Sequence, residues 1–237
     1  MVKKIFRIPV SYTEQIRKFD KTDTFLSLSV ILLYCLAMGL SGIIVQHVSQ
    51  NVYTLSLVGG FLNMLFVGIV MLLLKSRHQG IETIGLLRGN IKLSLKMGIP
   101  LSLILFFCNC LSNVWFANQS FLPAKEILIY VVYFFTVGLS EEVLFRGYAE
   151  PRLHALTKNV IVDVVLAGIL FVLMHFPFRM VAYNISFIDL ITNVPYMMNL
   201  FITHLVLSYI RIKSDSLYGA IIPHWISDLA YRIITHL

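Results

Sequence analysis

Gly138-Leu139-Ser140-Glu141-Glu142-Val143-Leu144-Phe145-Arg146-Gly147 sets two carboxylates side by side in a stretch that is otherwise almost wholly apolar from residue 127 to 149. In a soluble helix two acids need only face water. In a helix crossing a bilayer, each acid near the centre costs about 2.5–3.5 kcal/mol and requires a partner or a wet cavity. The surroundings of this stretch therefore decide the fold.

Those surroundings are lipid-like. Of 237 residues, 58% are apolar and 13% charged, with a mean hydropathy of +0.82, far from the composition of a soluble domain. Apolar runs long enough to span recur near 23–46, 53–74, 95–118, 126–149, 159–177, 186–210 and 215–235. The chain is thus expected to be all-α, a polytopic integral membrane bundle of about seven transmembrane helices. It divides into a basic cytoplasmic or interfacial lead-in at 1–22, transmembrane helices over 23–118, and a core carrying the functional residues over 119–237.

Charge sets the orientation. With the N-terminus cytoplasmic, sixteen of the nineteen Lys and Arg side chains fall on that side, from Lys3 and Lys4 through Lys75, Arg88, Lys92, Arg152 and Lys158 to Lys213, leaving Lys125, Arg179 and Arg232 opposite. The net charge of +7 is scattered between spans, which indicates membrane orientation and no nucleic-acid partner. Residues 1–21 are expected to be no signal peptide, and the Ile5-Phe6-Arg7-Ile8 and Ile16-Arg17-Lys18-Phe19 clusters suit either headgroup contact or a solvated tail. The loop 75–92, with Gly80, Gly85 and Gly89, is the one candidate subdomain boundary. Cys35, Cys108 and Cys110 all lie in apolar stretches and form neither a metal clip nor a disulfide framework.

Within the core, helical spacing separates the two acids. Glu142 and Arg146 stand at i and i+4 in the favourable order for an ion pair, whereas Glu141 lies about 100° further round and is left without that cation. Glu141 is accordingly the candidate general base. Phe171-Val172-Leu173-Met174-His175 adds an imidazole one turn after an aromatic; alone, His175 reads at least as well as an interhelical hydrogen bond. His224 and Asp228 again stand at i and i+4. Asp228 is placed to orient the His224 ring, to share a metal with it, or simply to satisfy it as a structural pair. His204 reads as an interhelical contact, and Asp163 and Asp189 as acids near helix starts. Counted from the cytoplasmic ends, His175 lies deepest, so the fourth span must tilt or run on past Gly147 toward Arg152 for the three candidates to meet.

Taken in order, Glu141-Glu142-x-x-x-Arg146, Phe171-x-x-x-His175 and His224-x-x-x-Asp228 resemble the three motifs of the CaaX protease and bacteriocin-processing (CPBP, or Abi) family of intramembrane proteases. Phe145-Arg146-Gly147-Tyr148 and Pro151-Arg152-Leu153 resemble the family's flanking sequence, and the likeness covers about 126–235. It implies that Glu141 and His175 activate a water against a peptide carbonyl, while His224 and the Asp228 position stabilise the oxyanion. Asp at that position raises a difficulty, because an ionised carboxylate cannot donate a hydrogen bond. The family is commonly called metalloprotease, and Glu141, His175, His224 and Asp228 are the candidate zinc ligands. A metal-free mechanism with Glu141 as base uses the same residues and is slightly preferred.

The expected partners are the lipid bilayer and a membrane-associated peptide or protein substrate, with a bacterial plasma membrane as the expected location. Two other readings compete: a non-enzymatic immunity or regulatory module whose motif residues only pack, and a proton-coupled transporter, which inverted repeats would have signalled.

Overall fold

The structure is a computed structural model that describes residues 8–47, 51–87 and 89–235. Lys3, Lys4, Arg7, Arg88, His236 and the Ile5-Phe6-Arg7 cluster lie outside these. The described residues are helical apart from short connections and one isolated bridge between Phe121 and Ile234.

The helices are α1 (Val10–Ile16), α2 (Lys21–His47), α3 (Val52–Ser76), α4 (Ile91–Phe106), α5 (Ser112–Phe116), α6 (Ala124–Glu142), α7 (Glu150–Thr157), α8 (Val160–Met174), α9 (Phe176–Ala182), α10 (Phe187–Thr192), α11 (Val194–Ser214) and α12 (Tyr218–Arg232). Asparagine side chains cap α3, α4, α8 and α11: Asn51, Asn90, Asn159 and Asn193 accept from backbone N–H groups of the first turns.

Among the described residues, five helical stretches are long and apolar enough to cross a membrane: Lys21–His47, Val52–Ser76, Ile91–Phe116, Ala124–Thr157 and Val160–Ala182. Their outward faces carry exposed Leu32, Leu36, Leu57, Phe61, Leu103 and Ile161, a surface suited to acyl chains. The two remaining expected spans take a different form. The stretch 186–210 is broken at Asn193, where Pro195 enters the first turn of α11. The last helix has 15 residues, a rise of about 22 Å against a hydrocarbon core of about 30 Å.

The fourth stretch does run on past Gly147. Between α6 and α7 the chain winds as a π-helix over Val143–Ala149, every residue of it buried, and the whole unit covers 34 residues. Arg152, on α7, is fully buried: it donates to the Tyr148 carbonyl at 2.9 Å and lies between the Phe19 and Tyr148 rings at 4.3 and 3.9 Å.

The central core joins Tyr34 of α2, Phe66 and Val70 of α3, Phe145, Tyr148, Phe171 and Leu217. The lead-in folds onto the protein, with Tyr12, Ile16 and Phe19 buried against Ile212, and Arg17 and Lys18 left exposed. Tyr12, Ile16 and Phe19 are thus packed inside the protein. Loop 75–92 is also tied down: Ile84 is fully buried, Leu217 donates to the Gly85 carbonyl at 2.9 Å, and Asn90 donates to the Ser214 carbonyl at 2.8 Å.

Helices α4 and α12 pack with their backbones nearly touching. A side chain at Gly219 would collide with the Ser94 carbonyl, and the Gly219 N–H donates to Ser94 Oγ at 2.7 Å. Small residues at the crossing permit this approach.

Candidate active site

Four helical elements converge beneath Phe171. On α6, Glu141 and Glu142 enter side by side, and Gly138 one turn earlier lets α12 approach until a Cβ there would lie 3.0 Å from the Trp225 backbone nitrogen. That proximity brings His224 of α12 against the acids, although 82 residues separate it from Glu142.

Glu142 is fully buried and serves two partners through one oxygen: Arg146 Nη1 at 2.9 Å and His224 Nδ1 at 2.7 Å. A carboxylate paired to a guanidinium can only accept, so the His224 Nδ1–H donates to it. Ring orientation is therefore set by Glu142, through the nitrogen that faces away from Asp228. The other nitrogen, Nε2, looks toward Glu141 Oε2 and Asp228 Oδ2, each 3.6 Å away. Glu141 and His224 are 4% and 6% exposed, whereas the Asp228 side chain is 35% exposed. Access to the cluster is from the Asp228 side.

His175 closes α8. Its Nδ1 lies 2.8 Å from the Phe171 carbonyl oxygen, an acceptor only, so Nδ1 carries the proton and the neutral ring presents a lone pair at Nε2. Phe171 connects the parts. Its ring meets His175, Phe145 and His224 edge-on at centroid distances of 4.9, 5.2 and 6.1 Å, and Arg146 Cζ sits 4.1 Å from its centroid.

A second layer lies one turn further on. Glu150, His204 and Ser208 are all fully buried; Ser208 Oγ donates to Glu150 at 2.6 Å, and His204 Nε2 reaches the Val164 carbonyl at 3.1 Å. His204 is thus an interhelical contact, and its ring also stacks near Phe171 at 5.7 Å. Asp163 holds His154 Nδ1 at 2.7 Å.

One polar residue beside the site had no counterpart in the sequence reading. Asn63 of α3 accepts from Tyr34 Oη and Ser140 Oγ, both at 2.9 Å. A lone amide in an apolar helix was the only signal in the sequence.

Zinc makes definite demands on the spacing of such donors. Two tetrahedral ligands about 2.0–2.1 Å from one ion stand about 3.4 Å apart, close to the spacing of His224 Nε2 from each carboxylate. Among the described residues, however, no three His, Cys, Asp or Glu side chains form a group that could hold a metal ion. As arranged, the four candidate ligands do not make a zinc site.

Fold and site together define a helical integral membrane protein with a carboxylate and imidazole cluster buried among its C-terminal helices. Residues 123–230 match the family described as Type II CAAX prenyl endopeptidase Rce1-like, consistent with the CPBP family. The match takes in somewhat less than half of the chain, and the family it points to is one of intramembrane CAAX-type endopeptidases. No curated protein and no solved structure matches the chain.

Proposed function

We propose that the protein hydrolyses peptide bonds of membrane-associated peptides or proteins, with Glu141 as general base toward a water held between Glu141 and His175. Glu141 takes a proton from the water as its oxygen attacks the carbonyl carbon. The proton then passes to the departing amine nitrogen as the C–N bond breaks, giving a free carboxyl and a free amine. His224 contributes from Nε2, held in place by Glu142 and Arg146, and Asp228 acts on the same nitrogen. The observation that carries this reading is the pairing of Glu142 with both Arg146 and His224 Nδ1. It occupies one acid structurally and leaves Glu141 the one free to take a proton.

The test compares membrane peptides accumulating in cells that express wild type or Glu141→Ala. Identical peptide profiles at equal protein levels would sink the proposal.

The reading includes seven crossings with the N-terminus cytoplasmic, α11 and α12 serving as the last two within the shelter of the bundle. Reporter fusions at residues 2 and 237 check this; both termini on one side of the membrane would refute it.

A further inference from the structure

Asp228 leaves a chemical gap in the proposed hydrolysis, since an ionised carboxylate repels a developing oxyanion. The described structure offers a neutral donor from another helix. Tyr34 is 1% exposed and its phenol must find an acceptor; it is in contact with Asn63 at 2.9 Å, and Ser140 Oγ meets the same Asn63 atom at 2.9 Å. That atom is therefore the carbonyl oxygen Oδ1, because the alternative amide orientation would leave the buried phenol proton without an acceptor. The amide is fixed in one direction, and Nδ2 points away from both hydroxyls.

Nδ2 has no protein partner among the described residues, yet it is not one of the polar atoms sealed from the surface without a partner. Asn63 retains 5% exposure. Ser140, which holds the amide, immediately precedes Glu141. Along the same two helices Gly60 lies against the Thr136 hydroxyl, and a side chain at Gly59 would strike the Tyr133 ring, so this face of α3 follows α6 up to the acids. The residue lies outside the 123–230 segment that carries the family likeness.

We infer that Asn63 is a further catalytic residue, its Nδ2–H donating to the carbonyl oxygen of the scissile peptide as negative charge develops there. The inference rests on the hydrolytic reading above. A neutral amide, already oriented by two hydrogen bonds, needs no reorganisation at the moment of reaction, which is the condition for effective oxyanion stabilisation.

The test uses the full-length protein in lipid vesicles and a quenched fluorescent peptide with a farnesylated CaaX tail. Asn63→Asp keeps an oxygen for Tyr34 and Ser140 and removes the donor; Asn63→Leu removes it without adding charge. Both should lower kcat by roughly a hundredfold to a thousandfold, the usual effect of deleting one oxyanion donor, with KM little changed. Tyr34→Phe removes an anchor and keeps the donor, so its loss should be no more than about tenfold, whereas a purely structural role would make it as damaging as Asn63→Leu. Near-wild-type kcat in Asn63→Leu, or equal losses in Tyr34→Phe and Asn63→Leu, would overturn the assignment while Glu141-dependent cleavage by wild type upheld the protease reading. If neither Asn63 variant folds, a Tyr34→Phe loss of a hundredfold or more counts against the donor role and a loss within tenfold supports it. No cleavage by wild type would remove both.

Discussion

Replacing Arg146 by methionine keeps most of the side-chain length and removes the charge. In the native structure Arg146 and Glu142 are both fully buried, 2.9 Å apart, and the guanidinium lies over the Phe171 ring. Without the cation, Glu142 becomes a buried charge whose remaining partner is His224 Nδ1. Breaking a buried pair on one side costs about 3–5 kcal/mol, and the lost ring contact adds up to about 2 kcal/mol. Because the His224 hydrogen bond survives, the lower end of about 3 kcal/mol is expected. On the scale of soluble chains of similar length, that lowers Tm by roughly 6–12 °C. Adding Glu142→Gln to Arg146→Met removes the orphaned charge while keeping an oxygen for His224. The double variant should therefore recover at least half of the loss, with a coupling of about 2 kcal/mol. Thermal unfolding of the four proteins in one detergent gives the cycle. A single Arg146→Met variant within about 1 kcal/mol of wild type, or additive effects in the double variant, would refute the reasoning.

Other consequences concern packing, protons and metal. Gly219→Leu should lose most of its folded yield, because the new side chain meets the Ser94 carbonyl, whereas Leu72→Ala on the exposed face of α3 should keep it; chromatographic recovery after extraction decides. Just before α2, the Asp23 N–H donates to Asp20 at 2.9 Å and Arg77 lies beside it at 2.6 Å, holding the Asp20 carboxyl below its ordinary range. A depressed carboxyl contributes stability above its unfolded value, about 3.9, and loses it as pH falls through the folded value. The Tm difference between wild type and Asp20→Asn should thus persist from pH 7 to about 5 and shrink as pH falls below about 3.9; a difference that does not shrink in acid contradicts the contact. With Glu141 as base, cleavage should survive prolonged dialysis against a chelator, and activity that disappears and returns with stoichiometric zinc would replace that mechanism.

What the sequence disclosed followed the range of the interactions. Glu142 and Arg146 share one helix, so their pairing was legible from an i, i+4 spacing. The second partner of Glu142, His224, lies on another helix, and no local pattern announces it; spacing alone made Asp228 the natural partner of His224. Asn63 stayed hidden for the same reason, since its meaning comes from Tyr34 and Ser140 on two other helices. The end of the fourth span was misplaced because Glu150, Pro151 and Arg152 look like an exit to water. Their charges are instead met inside by Ser208, the Tyr148 carbonyl and two aromatic rings. The break at Asn193 and Pro195 was visible as residues, but the surrounding apolar run concealed its effect.

The π-helix over Val143–Ala149 makes residue number, more than residue type, the quantity under constraint in this segment. A π turn holds one residue more than the α turn it replaces, and each residue of an α-helix turns the chain by about 100°. Substitutions of the apolar residues within 143–149 would alter packing at a single point. Deleting one residue would let the segment relax to α geometry and rotate everything beyond it, taking Glu150 away from Ser208 and Arg152 away from Phe19, while Glu141 and Glu142 kept their places. The segment therefore acts as a phase adjuster between the acids and the contacts of α7, and its length is under a constraint separate from that on any one side chain in it.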